Sequence, residues 1–182
     1  MSTDSCRCMV CLDYGDRDHL GSVDAGLFEH VADPGWGLLA IPEDEVSAGW
    51  TFTIGLWHSF RVPELAVFGL EPAPGMGLLN VIGEQVAAGR RPAAGDELDD
   101  VLESGRLALR PVDEGWHDVF FGTAQRFYRA TRPAAPFLQV LWPDRDGRFP
   151  TQDEFAPDLA LRQPQLWRSP SGHPKGPWTA DL

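Results

Sequence analysis

Trp50-Thr51-Phe52-Thr53-Ile54-Gly55-Leu56 is the stretch that decides the fold class. Its apolar side chains at 50, 52, 54 and 56 fall on one face of an extended chain. Thr51, Thr53 and Gly55 fall on the other. That alternation marks a strand with one face on a core, and a second face small and polar enough to line a cleft. Before it, Trp36 to Ile41 is a short apolar run ended by Pro42. After it, Leu65 to Leu70 is nearly all apolar, as a central strand covered on both faces would be. Further on, Leu107 to Val112 and Phe137 to Trp142 read as strands. The tight turn Asp144-Arg145-Asp146-Gly147 then reverses the chain into Arg148-Phe149.

Helical periodicity fills the gaps. Val23, Leu27 and Val31 share a stripe, with Ser22 as cap and Asp33-Pro34-Gly35 as stop. A second helix spans Met76 to Ala88 after the turn Pro72-Ala73-Pro74-Gly75 and ends at Gly89. A third runs from Asp118, as cap, to Arg129. A short helix after Asp96 is also expected. Strands arriving in runs between these helices predict an α+β fold: a mostly antiparallel sheet with about three helices packed on it, as a single pair of layers. Three parts follow: a cysteine-containing N-terminal segment (1–21), the α+β domain (22–156) and a proline-rich C-terminal arm (157–182). Leu166-Trp167 is the natural pin for that arm.

Composition narrows the function. The 182 residues carry a formal net charge of -12. Residues 1–60 hold ten Asp/Glu against two Arg, whereas residues 131–182 hold six of each sign. This balance argues against binding nucleic acid, which relies on clustered Lys and Arg, and against a basic membrane-surface role. No apolar run is long enough to span a bilayer, and MSTDSCRC has no apolar signal core. The expectation is therefore a cytoplasmic protein with reduced thiols.

Several stretches together resemble a known family. They are Gly35-Trp36-Gly37, Phe52-Thr53-Ile54-Gly55-Leu56, Pro63-Glu64-Leu65-Ala66-Val67-Phe68-Gly69-Leu70, Leu78-Leu79-Asn80, Gln139-Val140-Leu141-Trp142-Pro143-Asp144, Gly147-Arg148-Phe149-Pro150 and Gln163-Pro164. In this order they resemble the bacterial domain-of-unknown-function family numbered 4262, over about residues 6–167. The resemblance implies a bacterial, actinobacterial origin and a shared framework of polar positions, and it implies no activity. Two positions depart from the family pattern. Val62 stands where His often precedes Pro-Glu, and Thr151 stands where Trp often follows Phe-Pro.

Three groups of residues carry candidate chemistry. Cys6-x-Cys8-x-x-Cys11 followed by His19 offers three thiolates and an imidazole, the donor set of a structural Zn2+ site. The plainer reading is free thiols on a mobile segment. His58 and Glu64 bracket the connection between two strands, where His58 suits a general base and Glu64 its orienter or an acid. Against this, His58 reads more simply as a solvated turn residue, and Glu64 as a carboxylate capping backbone donors. Thr51, Thr53, Asn80, Gln139, Trp142 and Asp144 are polar or amphipathic positions inside apolar blocks. They line a polar-floored cleft or tie the core together.

GxGxxG, GxxxxGK[ST], HExxH and GxSxG are all absent, which removes nucleotide-phosphate, zincin and α/β-hydrolase readings. Two functions remain. One is a cleft binding a polar small molecule, with acid/base chemistry at His58 and Glu64. The other is an interaction or immunity-type module whose acidic N-terminal third meets a basic protein partner.

Overall fold

The alternating stretch forms strand β2 (Trp50–Ile54), hydrogen-bonded on one side to β1 (Gly37–Ile41) and on the other to β3 (Glu64–Phe68). The computed structural model describes residues 6–15 and 17–180. Within them the order is α1 (Ser22–Ala32), β1, β2, α2 (Leu56–Phe60), β3, α3 (Pro72–Ala87), β4 (Glu97–Leu98), β5 (Leu107–Pro111), α4 (His117–Phe120), α5 (Gly122–Tyr128), β6 (Phe137–Leu141) and α6 (Pro157–Ala160). The sheet order is β1-β2-β3-β6-β5-β4. All neighbours are antiparallel except β3 and β6, which run parallel at the centre. The fold is thus α+β with a mostly antiparallel sheet. No helix of the described residues is long and apolar enough to cross a membrane.

The two faces of the sheet are both covered. Phe52, Ile54, Ala66, Phe68 and Phe137 pack under α1, α4, α5 and the residues around Cys8 and Met9. Leu65, Val67, Leu138 and Val140 pack under the α3 stripe of Leu78, Leu79, Ile82 and Val86. The sheet is therefore a middle layer, and the helices outnumber the expected three. Each fully buried Leu, Ile or Val contributes roughly 1.5–3 kcal/mol relative to exposure, so both faces carry stability.

The small face of β2 is where α3 comes closest. A Cβ added to Gly75 would sit 2.8 Å from Thr51 Oγ1, and one added to Gly83 2.5 Å from the Trp36 ring. Small residues on both sides let helix and sheet approach without a gap, so this face lines no cleft. The helix also starts earlier than its periodicity suggests. Pro72 and Pro74 lie in its first turn, where the missing amide hydrogen is not needed.

Other boundaries differ for similar reasons. The expected Asp118–Arg129 helix breaks at Phe121 (φ -124, ψ 33) into α4 and α5, and Asp113, not Asp118, caps the turn before it through Gly115 N–H. After Asp96 there is no helix but β4, drawn into an edge pair with β5. The C-terminal arm is docked rather than loose. Leu166 is buried, Trp178 nearly so, and Trp116 Nε1 donates to the Arg168 carbonyl at 2.6 Å.

Candidate metal centre

Two chain segments far apart in sequence meet at the cysteines. Cys6, Cys8 and Cys11 lie on a compact N-terminal turn in which Leu12 N–H donates to the Cys8 carbonyl at 3.0 Å. Met9 N–H donates to the Phe127 carbonyl at the end of α5, and Arg7 N–H to Thr131 Oγ1, both at 2.9 Å. These bonds and the burial of Cys8 and Met9 hold the turn on the sheet domain.

The fourth donor is His58, 47 positions beyond Cys11 in the chain. Its Nδ1 lies 3.7 Å from Cys6 Sγ, 3.3 Å from Cys8 Sγ and 3.4 Å from Cys11 Sγ, and the four donor atoms all lie within 4.8 Å of one another. Zinc binds sulfur at about 2.3 Å and imidazole nitrogen at about 2.0–2.1 Å, so a tetrahedron of these radii has S···N edges of about 3.5 Å. The observed separations bracket that edge. Cys6 and Cys8 are buried, Cys11 is exposed and His58 is half-buried.

The three thiols perturb one another. The hydrogen bond from the Cys8 side chain, opposed by burial and helped by His58, draws the Cys6 thiol down to about 3. Sharing that proton with Cys6, together with burial, pushes the Cys8 thiol up, although the Cys11 and Val10 amides lean toward its sulfur. Burial and then the Cys6 charge push the Cys11 thiol up, and the Arg61 guanidinium partly offsets them.

His58 is delivered by α2, five residues between β2 and β3. Gly55 opens it at φ +121, and a Cβ there would strike the Gly35 carbonyl at 2.8 Å, so only glycine makes this entry. The β2–β3 ladder extends only from Trp50↔Phe68 to Phe52↔Ala66. In the opening beyond it sits the fully buried Glu64 carboxylate. Oε1 accepts from Gly55 N–H (2.9 Å), Trp57 N–H (3.0 Å) and the Tyr128 hydroxyl, and Oε2 accepts from Thr53 Oγ1 (2.5 Å). Thr53 Oγ1 in turn accepts from Leu65 N–H. Burial pushes the Glu64 carboxyl up, and these donors pull it back.

The sequence-derived sites therefore separate. Cys6, Cys8 and Cys11 come together as their spacing suggests. His19 does not join them: it is exposed on a short 3-10 turn (Arg17–His19), and His58 takes its place. His58 and Glu64 do not form an acid/base pair, because the imidazole faces sulfur and the carboxylate caps backbone donors.

The cleft residues are dispersed. Thr51 lies under Gly75, Thr53 belongs to the Glu64 cluster, and Asn80 Oδ1 accepts from Trp36 Nε1 on the surface. Gln139 bridges Pro164 and Leu166, and Trp142 Nε1 donates to the Phe68 carbonyl. Asp144 accepts amides of its own turn and from Ala156. Trp142 and Asp144 border a common surface hollow. Tyr128, on the expected third helix, is a polar partner of the Glu64 cluster that the sequence reading did not single out.

The arrangement defines an α+β domain with a thiol–imidazole donor set at its N-terminal end. A family model described as Domain of unknown function (DUF4262) matches residues 30–156, most of the chain, and the protein belongs to this family. The match contains His58 and Glu64 and excludes Cys6, Cys8 and Cys11, so one donor comes from the family domain and three from the segment before it. Neither a curated protein nor a solved structure matches the chain.

Proposed function

We propose that this protein is a zinc-binding domain in which one Zn2+, held by Cys6, Cys8, Cys11 and His58, fastens the N-terminal segment to the sheet. The observation that carries the reading is the set of three Nδ1···Sγ separations, 3.3, 3.4 and 3.7 Å, at the edge length of a zinc tetrahedron. Three thiolates and one imidazole suit zinc better than magnesium or calcium, which prefer oxygen donors.

Four protein donors close the coordination sphere. The metal's role is then structural, since catalytic zinc keeps a position for water. Unpaired thiols suit a reducing compartment, such as the bacterial cytoplasm. Protein purified without chelator should contain about one equivalent of zinc per chain, and chelation should lower its melting temperature, as removal of any ligand of the native state does. Metal-free protein with three freely titrating thiols ends the proposal.

A further inference from the structure

We infer that Glu64 and Tyr128 act together as positioning residues for the metal donors, locking the imidazole half and the thiol half of the set into one frame. The inference rests on the zinc reading above. A helix of five residues is not stable alone, because nucleation is unfavourable and few hydrogen bonds are gained. Helix α2 is held by its ends. Glu64 Oε1 takes the Gly55 and Trp57 amides at its start. Arg61, with φ +57, closes it by donating from Nη1 to the Trp57 and His58 carbonyls at 2.7 and 3.0 Å. Ser59 Oγ donates to the Gly35 carbonyl at 2.7 Å. His58 lies in the middle of this clamp, so its ring position follows from the carboxylate.

Tyr128 joins that clamp to the thiols. Its hydroxyl donates to Glu64 Oε1 and accepts from Gly55 N–H at 3.1 Å. It belongs to α5, whose neighbouring Phe127 carbonyl receives Met9 N–H. Thr131, just beyond, receives Arg7 N–H. Met9 and Arg7 flank Cys8. A displacement of Tyr128 therefore moves the thiol-bearing turn relative to His58. Every partner of the Glu64 carboxylate is a donor, and each hydroxyl among them also accepts an amide, Leu65 N–H on Thr53 and Gly55 N–H on Tyr128. The carboxylate is thus oriented from four sides, as outer-shell partners of metal ligands are.

The test is zinc affinity by competition with a chromophoric chelator, together with the visible spectrum of the Co2+-substituted protein. The comparison covers wild type, Glu64→Gln, Tyr128→Phe and, as a remote control, Gln139→Ala. Glu64→Gln and Tyr128→Phe should each weaken binding up to about 10-fold, the lower end of the effect of a group that hydrogen-bonds a ligand directly, because both act on His58 through the α2 backbone. Their ligand-field bands should change while the sulfur-to-cobalt absorption persists. Gln139→Ala should keep wild-type affinity and spectrum. Should Glu64→Gln not fold, Tyr128→Phe, which removes one hydroxyl, carries the test. Wild-type affinity in both variants, or equal loss in Gln139→Ala, overturns the positioning role alone. A wild type that takes up neither metal overturns the zinc reading and this inference with it.

Discussion

The segment around Cys8 and the arm around Leu166 and Trp178 pack into the same core on one face of the sheet and are held there by different contacts. The C-terminal arm is held by side-chain amides from β6 and from the arm itself, and by an indole. Gln139 Nε2 donates to the Pro164 carbonyl and its Oε1 accepts Leu166 N–H. Gln163 pairs through both amide atoms with the Trp142 backbone, and Trp178 Nε1 donates to the Leu161 carbonyl. The N-terminal segment has the Met9 and Arg7 amides on Phe127 and Thr131, the Arg17 guanidinium on the Met9 and Val10 carbonyls, and three thiols gathered around one imidazole nitrogen. A short segment without a core of its own holds its place by adding an anchor, and closed side-chain hydrogen bonds and a metal are two interchangeable anchors. The first works with the protein alone, whereas under the proposed zinc site the second makes the attachment conditional on metal.

This contrast predicts separable effects. Cys8→Ser should be the most severe, abolishing stoichiometric zinc and exposing residues 6–15 to proteolysis while the arm around Leu166 stays protected. Intact protection of the N-terminal segment would break the contrast. Trp178→Ala should cost about 3–5 kcal/mol, as large buried aromatics do, and loosen the arm, with zinc content unchanged by metal analysis. Gln139→Ala should cost about 1–3 kcal/mol in denaturant unfolding, because it strands the Leu166 amide and Pro164 carbonyl.

The smallest effect belongs to His117, on the shared face but in neither anchor. Burial pushes its imidazole below the ordinary value, and Nε2 has no hydrogen-bond partner among the described residues. The unfolded chain therefore takes up this proton first. Stability should fall as pH drops below about 6.5 toward the lowered folded value, and His117→Phe should remove that component of the acid limb.

How much of this was legible in the sequence follows the range of each interaction. The β2 alternation, the apolar β3 and the cysteine spacing are local patterns, and the structure realises them. Helix α2 was hidden because five residues show no periodicity and its cap comes from Glu64, across the strand junction. Of the two readings of Glu64, the capping one is what the fold uses. The α4–α5 break at Phe121 left no mark in the sequence, because Phe120, Phe121, Ala124, Phe127 and Tyr128 read as one broad apolar face of a single helix. His19 is the nearer histidine along the chain, but the fold brings His58 to the sulfurs, and one sequence does not encode that proximity locally.

The central claim is that Cys6, Cys8, Cys11 and His58 form one zinc site. X-ray absorption at the zinc edge, on protein purified without chelator, tests it most directly. The account predicts a single environment of three sulfurs at about 2.3 Å and one nitrogen at about 2.0 Å. In His58→Ala the nitrogen should be lost and the sulfurs kept. An oxygen-rich shell, an unchanged nitrogen in His58→Ala, or no zinc edge at all would contradict it.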